Sequence, residues 1–382
     1  MTVTSSTSRS AAADSGPWLP AMLLLFIGSG CAALIYEVVW FQLLQLSVGS
    51  SAVSLGILLG IYMGGMCLGS LLLPSRISAS HHPLKVYAYL ELGIGAFGLL
   101  ALFAVPALGA AYTSIGGSGT TMSIVLRAAV ACICLIPPTL LMGATLPAIA
   151  RWVEATPSGV SWLGYFYGGN LAGAVAGSLV AGYYLLRLYD MPTATYAAVA
   201  LNVLVAAVAL ALAKVAPYTP PSAKETSAGS GSGLTLVYVA IGLSGFTALG
   251  SEVVWTRLLS LLFGGTAYTF SLILAVFLVG LGIGSTVGAE LARRVASPRM
   301  ALGWCQVLLC AAIAWAAHVT GESLPYWPIN PSISTSLSYM FQLDLLRSLW
   351  VMLPAALLWG ASFPLALGAV ATGQKDPAKL VG

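Results

Sequence analysis

The 382 residues are 59% hydrophobic and only 7% charged, with a net charge of +4 and a mean hydropathy of +0.94. A soluble domain carries about 25% charged residues, so this composition excludes water as the chain's main solvent. The Lys and Arg are scattered rather than clustered, which excludes nucleic acid as a partner. Apolar stretches of about 20 residues recur along the chain, each long enough to cross a hydrocarbon core as a helix. Their hydrophobicity is continuous rather than alternating, so helices are predicted and a closed barrel is not. The fold class expected is an all-α integral membrane protein whose partner is the lipid bilayer.

Residues 1–17 are rich in Ser, Thr and Ala and read as a disordered cytoplasmic tail. No small-residue cleavage site follows a short apolar core, so the first span is expected to stay as an anchor. Ten spans are predicted at 18–46, 51–74, 85–112, 122–152, 162–187, 191–214, 234–262, 266–291, 300–319 and 343–372. Residues 18–215 form a first membrane unit of six helices. A Pro-, Ser- and Gly-rich cytoplasmic linker follows at 216–233, and 234–382 forms a second unit with four helices. The segment from Thr320 to Asp344 carries Tyr326, Trp327 and Tyr339, which suits the membrane interface.

Placing the amino terminus inside puts Arg9, Arg76, Lys85, Arg151, Lys214, Lys224, Arg293, Arg294, Arg299, Lys375 and Lys379 on the cytoplasmic side. That is 11 of the 15 basic residues, leaving Arg127, Arg187, Arg257 and Arg347 near outer helix ends. The positive-inside rule then assigns a cell (inner) membrane protein with a cytoplasmic amino terminus.

An internal repeat organises the chain. LIYEVVWFQLLQLSVG (34–49) returns as LGSEVVWTRLLSLLFG (249–264), with Glu37 and Trp40 matched by Glu252 and Trp255. Gly65, Gly69 and Ser70 return as Gly280, Gly284 and Ser285, and PPTLLMGATLP (137–147) returns as PAALLWGASFP (354–364). An even number of helices per unit makes the two copies parallel repeats about the membrane normal, a major-facilitator-like arrangement. In that register, partners for the fifth and sixth helices would begin near residue 383. The second repeat is therefore expected to be incomplete, either as a ten-helix protein or as part of a longer chain.

The motifs AALIYEVVW, PPTLLMGATLP and YGGNLAGAVAGSLVAG resemble the membrane region of spermidine-synthase-like proteins. That resemblance implies a major-facilitator-like transmembrane domain and an associated or fused aminopropyltransferase-type domain as partner. It also suggests polyamines or other small amines as ligands. No glycine-rich strand–turn–helix loop occurs in this sequence, so no catalytic residue or cofactor is assigned here.

Glu37 and Glu252 are placed near the outer ends of their spans, where an isolated carboxylate needs a partner. They are expected within salt-bridge reach of Arg127, Arg257 or Arg347, with Trp40 and Trp255 as belt aromatics. The cluster reads either as a vestibule for a cationic amine or as an ion-pair network tying helices together. Glu91, whose repeat mate is Gln306, reads as a substrate or proton site, or as a helix-end acid paired with Lys85. Pro137, Pro147, Pro354 and Pro364 mark helix kinks, either gating hinges or packing devices. Pro147 and Pro364 free the Gly143 and Gly360 carbonyls, which Thr145 and Ser362 are positioned to help satisfy. The stripes Gly65/Gly69, Gly280/Gly284 and Gly169/Gly173/Gly177 have the spacing of close helix contacts. The six cysteines all fall in apolar runs and read as small buried side chains; neither they nor the three histidines form a metal-ligand set. A transporter-like domain, a non-transporting anchor or assembly subunit, and the membrane part of an aminopropyltransferase-like enzyme all fit these features.

Overall fold

The computed structural model describes residues 18–48, 52–78, 80–115, 120–154, 163–216, 218, 234–327 and 336–371. The expected tail at 1–17, and the linker at 216–233 apart from residues 216 and 218, lie outside the described residues. Continuous apolar sequence gives continuous helix: α1 (Leu19–Val48), α2 (Ala52–Arg76), α3 (Pro83–Ile115), α4 (Thr120–Glu154) and α5 (Leu163–Val180). A π turn (Ala181–Leu185) and a last short turn, α6 (Leu186–Leu188), extend α5. Then follow α7 (Met191–Val215), α8 (Leu234–Phe263), α9 (Ala267–Arg294), α10 (Pro298–Glu322) and α11 (Leu337–Ala371). No strand occurs among the described residues. Nine of the helical segments there are long and apolar enough to cross a bilayer, and α2 is a further long helix. The chain is a multi-pass helical membrane protein.

The helices differ from the predicted spans mainly at their ends. α11 starts at Leu337 rather than 343. Its polar opening, with Gln342 and Asp344, resembles interfacial loop, yet Asp344 is buried against the bundle. The Pro-containing helices run on through Pro137, Pro147, Pro354 and Pro364. One freed acceptor finds a partner of a kind that chain order does not show. Pro354 removes the donor to the Trp350 carbonyl, and the Trp315 indole N–H of α10 donates to that oxygen at 3.1 Å. Thr145 and Ser362 do bond backbone carbonyls, but those of Met142 and Leu358 (both 2.8 Å) rather than Gly143 and Gly360.

The glycine stripes are contact lines. In the first half, a Cβ on Gly65 would strike Thr139, one on Gly69 the Leu140 carbonyl, and one on Gly143 the Met66 carbonyl. In the second half the partners are Ala356 for Gly280, the Leu357 carbonyl for Gly284 and the Leu281 carbonyl for Gly360. Each contact in α9–α11 involves the repeat mates of a contact in α2–α4. Gly173 and Gly177 of α5 lie just as closely on the Ile27 and Cys31 carbonyls of α1. Without a hydrophobic driving force between helices in lipid, such backbone proximity supplies the dispersion contact that holds them together. The halves meet where α5 packs on α9 and where Phe41 of α1 stacks on Phe270 of α9 at 4.1 Å.

Among the described residues, the second half leaves surfaces exposed that the first half covers. Leu23, Gly28 and Cys31 of α1 lie beneath α5 and α7, whereas their mates on α8, Tyr238, Leu243 and Phe246, are 59–75% exposed. Cys310 of α10, the mate of Gly95 beneath α7, is also exposed, as is Cys67. Of the six cysteines expected to be buried, Cys134 and Cys305 are, Cys31 and Cys132 are half-buried, and Cys67 and Cys310 are exposed.

Arg151 locks one end of the first half, donating to the Pro74 and Ile77 carbonyls at the end of α2. Replacing it with Met is expected to cost about 1–3 kcal/mol, because partly buried carbonyls lose a charged donor. Thermal unfolding in detergent measures the loss, and an unchanged midpoint would show that water replaces the guanidinium there.

Candidate functional site

Glu37 and Glu252 occupy the same step of two equivalent helices. Each stands 11 residues before its helix end (48 − 37 and 263 − 252), roughly 16 Å along the axis at 1.5 Å per residue. That places both carboxyls well inside the bundle, not at the outer ends expected from sequence. Glu37 is 4% exposed and Glu252 2%, and the two are close enough to repel each other when both are ionised. One oxygen of each, Oε1, accepts no hydrogen bond.

The surroundings are aromatic and polar and hold no cation among the described residues. Trp40, one turn beyond Glu37, is buried and stacks on Tyr36 at 5.1 Å and edge-on to Tyr62 at 6.2 Å. Trp255 is buried against Trp359 at 5.6 Å. Both tryptophans are core residues rather than belt aromatics, because their helix faces turn inward toward neighbouring helices. The Trp40 indole nitrogen, the Tyr36 hydroxyl and the Thr256 hydroxyl, on the helical turns beside the two carboxyls, also lack partners.

The expected arginine partners stand elsewhere. Arg257 is exposed, because five residues past Glu252 is more than one helical turn and points it away from the carboxyl. Arg347 is buried and lies 3.6 Å from Asp344 of its own helix. The Arg127 side chain lies outside the described residues. Among the described residues the ion pairs are Glu290 with Arg293, Glu290 with Arg294, and Asp344 with Arg347, so none neutralises Glu37 or Glu252.

Glu91 forms a separate, satisfied centre. It is fully buried on α3, and Ser29 of α1 donates to Oε1 at 2.5 Å while Asn202 of α7 donates to Oε2 at 2.6 Å. Tyr87, one turn earlier, also faces it. Lys85 is exposed and makes no ion pair with it, because the lysine lies on another face of the helix. The repeat mate Gln306 instead donates to Ser362 at 2.8 Å. Glu91 therefore ties α1, α3 and α7 together. Asn202 was not singled out from sequence, although a lone amide in the middle of an apolar helix is itself the signal. Asp344 was also missed; its signal is a position three residues before Arg347 on one helix face.

Two buried carboxyls that feel each other's charge, each with an unbonded oxygen, can be neutralised by protons or by a bound cation. Either route removes their mutual repulsion. No model of a known protein family matches the chain, and no curated protein matches it significantly.

Proposed function

We propose that this chain is a transporter-like membrane domain that binds a small cationic amine between Glu37 and Glu252. The observation that carries the reading is the pair itself: two buried acids at equivalent repeat positions, with no basic side chain within ion-pair reach among the described residues. An ammonium ion entering there exchanges its hydration for two carboxylates, which offsets the dehydration cost that hydrocarbon imposes. Polyamines suit the site because they carry several ammonium groups on an apolar stem, and the resemblance to spermidine-synthase-like membrane regions points the same way. The duplicated α2–α4 and α9–α11 contacts support the major-facilitator-like repeat, which locates ligands between repeats. The positive-inside count supports a cytoplasmic amino terminus in a cell (inner) membrane. An attached aminopropyltransferase-type domain rests on the resemblance alone.

The intact chain in liposomes is expected to bind or take up labelled spermidine, and the Glu37→Gln/Glu252→Gln variant to lose at least about tenfold in affinity, the scale of one charged hydrogen bond. Spermidine handling by the double variant equal to that of the parent would discard the cation site.

A second reading has its own observation. The bare faces of α8 and α10, with Tyr238, Leu243, Phe246 and Cys310 exposed, match faces that α5 and α7 cover in the first half. They suit cover by further helices, whether of this polypeptide or of an assembly partner. Absence of any spermidine binding by the intact chain would favour this reading.

A further inference from the structure

A second cluster of buried charge lies where the π turn after α5 meets the first turns of α9 and α11. Asp344 and Arg347 of α11 are 2% and 5% exposed, and Ser348 beside them and Ser271 of α9 are fully buried. Tyr268 of α9 donates to Asp344 Oδ2 at 3.5 Å. Tyr183 of the π turn packs on the Tyr268 ring at 4.3 Å and on Phe341 at 5.0 Å. π turns insert a residue that redirects side chains, and they recur at functional positions. Here the turn brings a first-half tyrosine onto second-half charges.

The charge pair is loose. Arg347 Nη1 lies 3.6 Å from Asp344 Oδ1, whereas a closed guanidinium–carboxylate contact is about 2.7–2.9 Å. Arg347 Nε, Asp344 Oδ1, Ser348 Oγ and Ser271 Oγ lack hydrogen-bond partners, while the Tyr183 hydroxyl is turned toward that of Tyr268. Four such atoms on two adjoining helices are costly, because a buried polar group without a partner forfeits its hydration. The set holds one positive and one negative side chain, so it adds no net charge. A ligand bearing both a carboxylate and an ammonium completes it without adding any.

We propose that Asp344, Arg347, Ser348, Tyr183 and Tyr268 form a binding site for a zwitterion of the α-amino-acid class. The ligand carboxylate takes the free edge of the Arg347 guanidinium and the Ser348 hydroxyl. Its ammonium takes Asp344 Oδ1 beside the rings of Tyr183 and Tyr268, which attract cations through their faces. Its side chain lies against Phe341 and is therefore apolar. The site draws on both halves, so occupancy links them. It is distinct from the Glu37–Glu252 pair, whose net negative charge selects cations.

The test uses the full chain in lipid nanodiscs with tritiated L-leucine, competed by isopentylamine (leucine without its carboxylate) and 4-methylpentanoate (leucine without its amine). Saturable leucine binding is expected, with each single-charge competitor weaker by about tenfold or more, since each loses one charged hydrogen bond. Asp344→Asn and Arg347→Gln are each expected to lose about tenfold or more, and Tyr268→Phe about threefold, the smaller effect of a neutral donor. Tyr268→Phe leaves the charges in place, so it reads the site even if a charge variant does not fold. Glu290→Gln is expected to bind leucine as the parent does. No saturable leucine binding, equal competition by the amine or the acid alone, or unchanged binding in Tyr268→Phe and Asp344→Asn overturns the proposal.

Discussion

Gly69→Ala and Gly284→Ala are each expected to destabilise the bundle by about 3 kcal/mol or more, at or beyond the upper end of the overpacking range. In each case the added Cβ lands on a carbonyl oxygen, that of Leu140 or Leu357. A backbone atom cannot rotate aside as a flexible side chain can, so α2 must retreat from α4, or α9 from α11. The retreat forfeits the dispersion contact along the whole helix pair, because packed interiors relax only partly around an inserted group. Gly64 and Gly303 give the comparison, with open space where their Cβ would stand. Alanine there is expected to stabilise by up to about 1 kcal/mol through helix propensity alone. Thermal or denaturant unfolding of the four variants in one detergent reads the contrast. A Gly69→Ala protein as stable as Gly64→Ala would show that the two helices do not touch along this line. Matching losses at Gly69 and Gly284 are the energetic signature of the repeat.

The double variant Glu37→Gln/Glu252→Gln is expected to unfold at a higher temperature than the parent while losing cation binding. An acid inside a membrane helix costs about 2.5–3.5 kcal/mol at mid-depth on insertion scales. Here two acids share one region with no basic partner among the described residues. Glutamine keeps the shape and removes the charge, so part of that cost is recovered, on the order of 1 kcal/mol or more. An ion-pair network predicts the opposite sign, because removing one member of a buried pair strands the other. Lower stability in the double variant would therefore return both residues to a structural role. Functional groups held at a cost in stability are the usual pattern at binding sites, and the two readouts together separate the readings.

The sequence by itself determined the environment, the order of the long helices among the described residues, and which glycine contacts recur between the halves. Hydrophobic run length reports directly on bilayer thickness. The offsets of 215 and 217 between matched motifs carry over to matched contacts, so Gly65 meets Thr139 as Gly280 meets Ala356. A contact made by backbone and small residues is legible because the residue type itself, glycine at every fourth position, is its requirement.

Side-chain partnerships were decided only by the tertiary structure. In sequence Glu91 lies near Lys85, but a helix turns 100° per residue, and packing presented Ser29 and Asn202 to it instead. Arg347 could be assigned to Glu37 or Glu252 by depth alone, yet Asp344 stood closer on its own face. Tyr183 reached the second half through a π turn that no local sequence signal announces. Depth and periodicity fix position along a helix, whereas rotation about the axis is set by which faces pack. That rotation brought Glu37 and Glu252 within range of each other's charge, kept both from a basic partner among the described residues, and put Asp344 beside Tyr268.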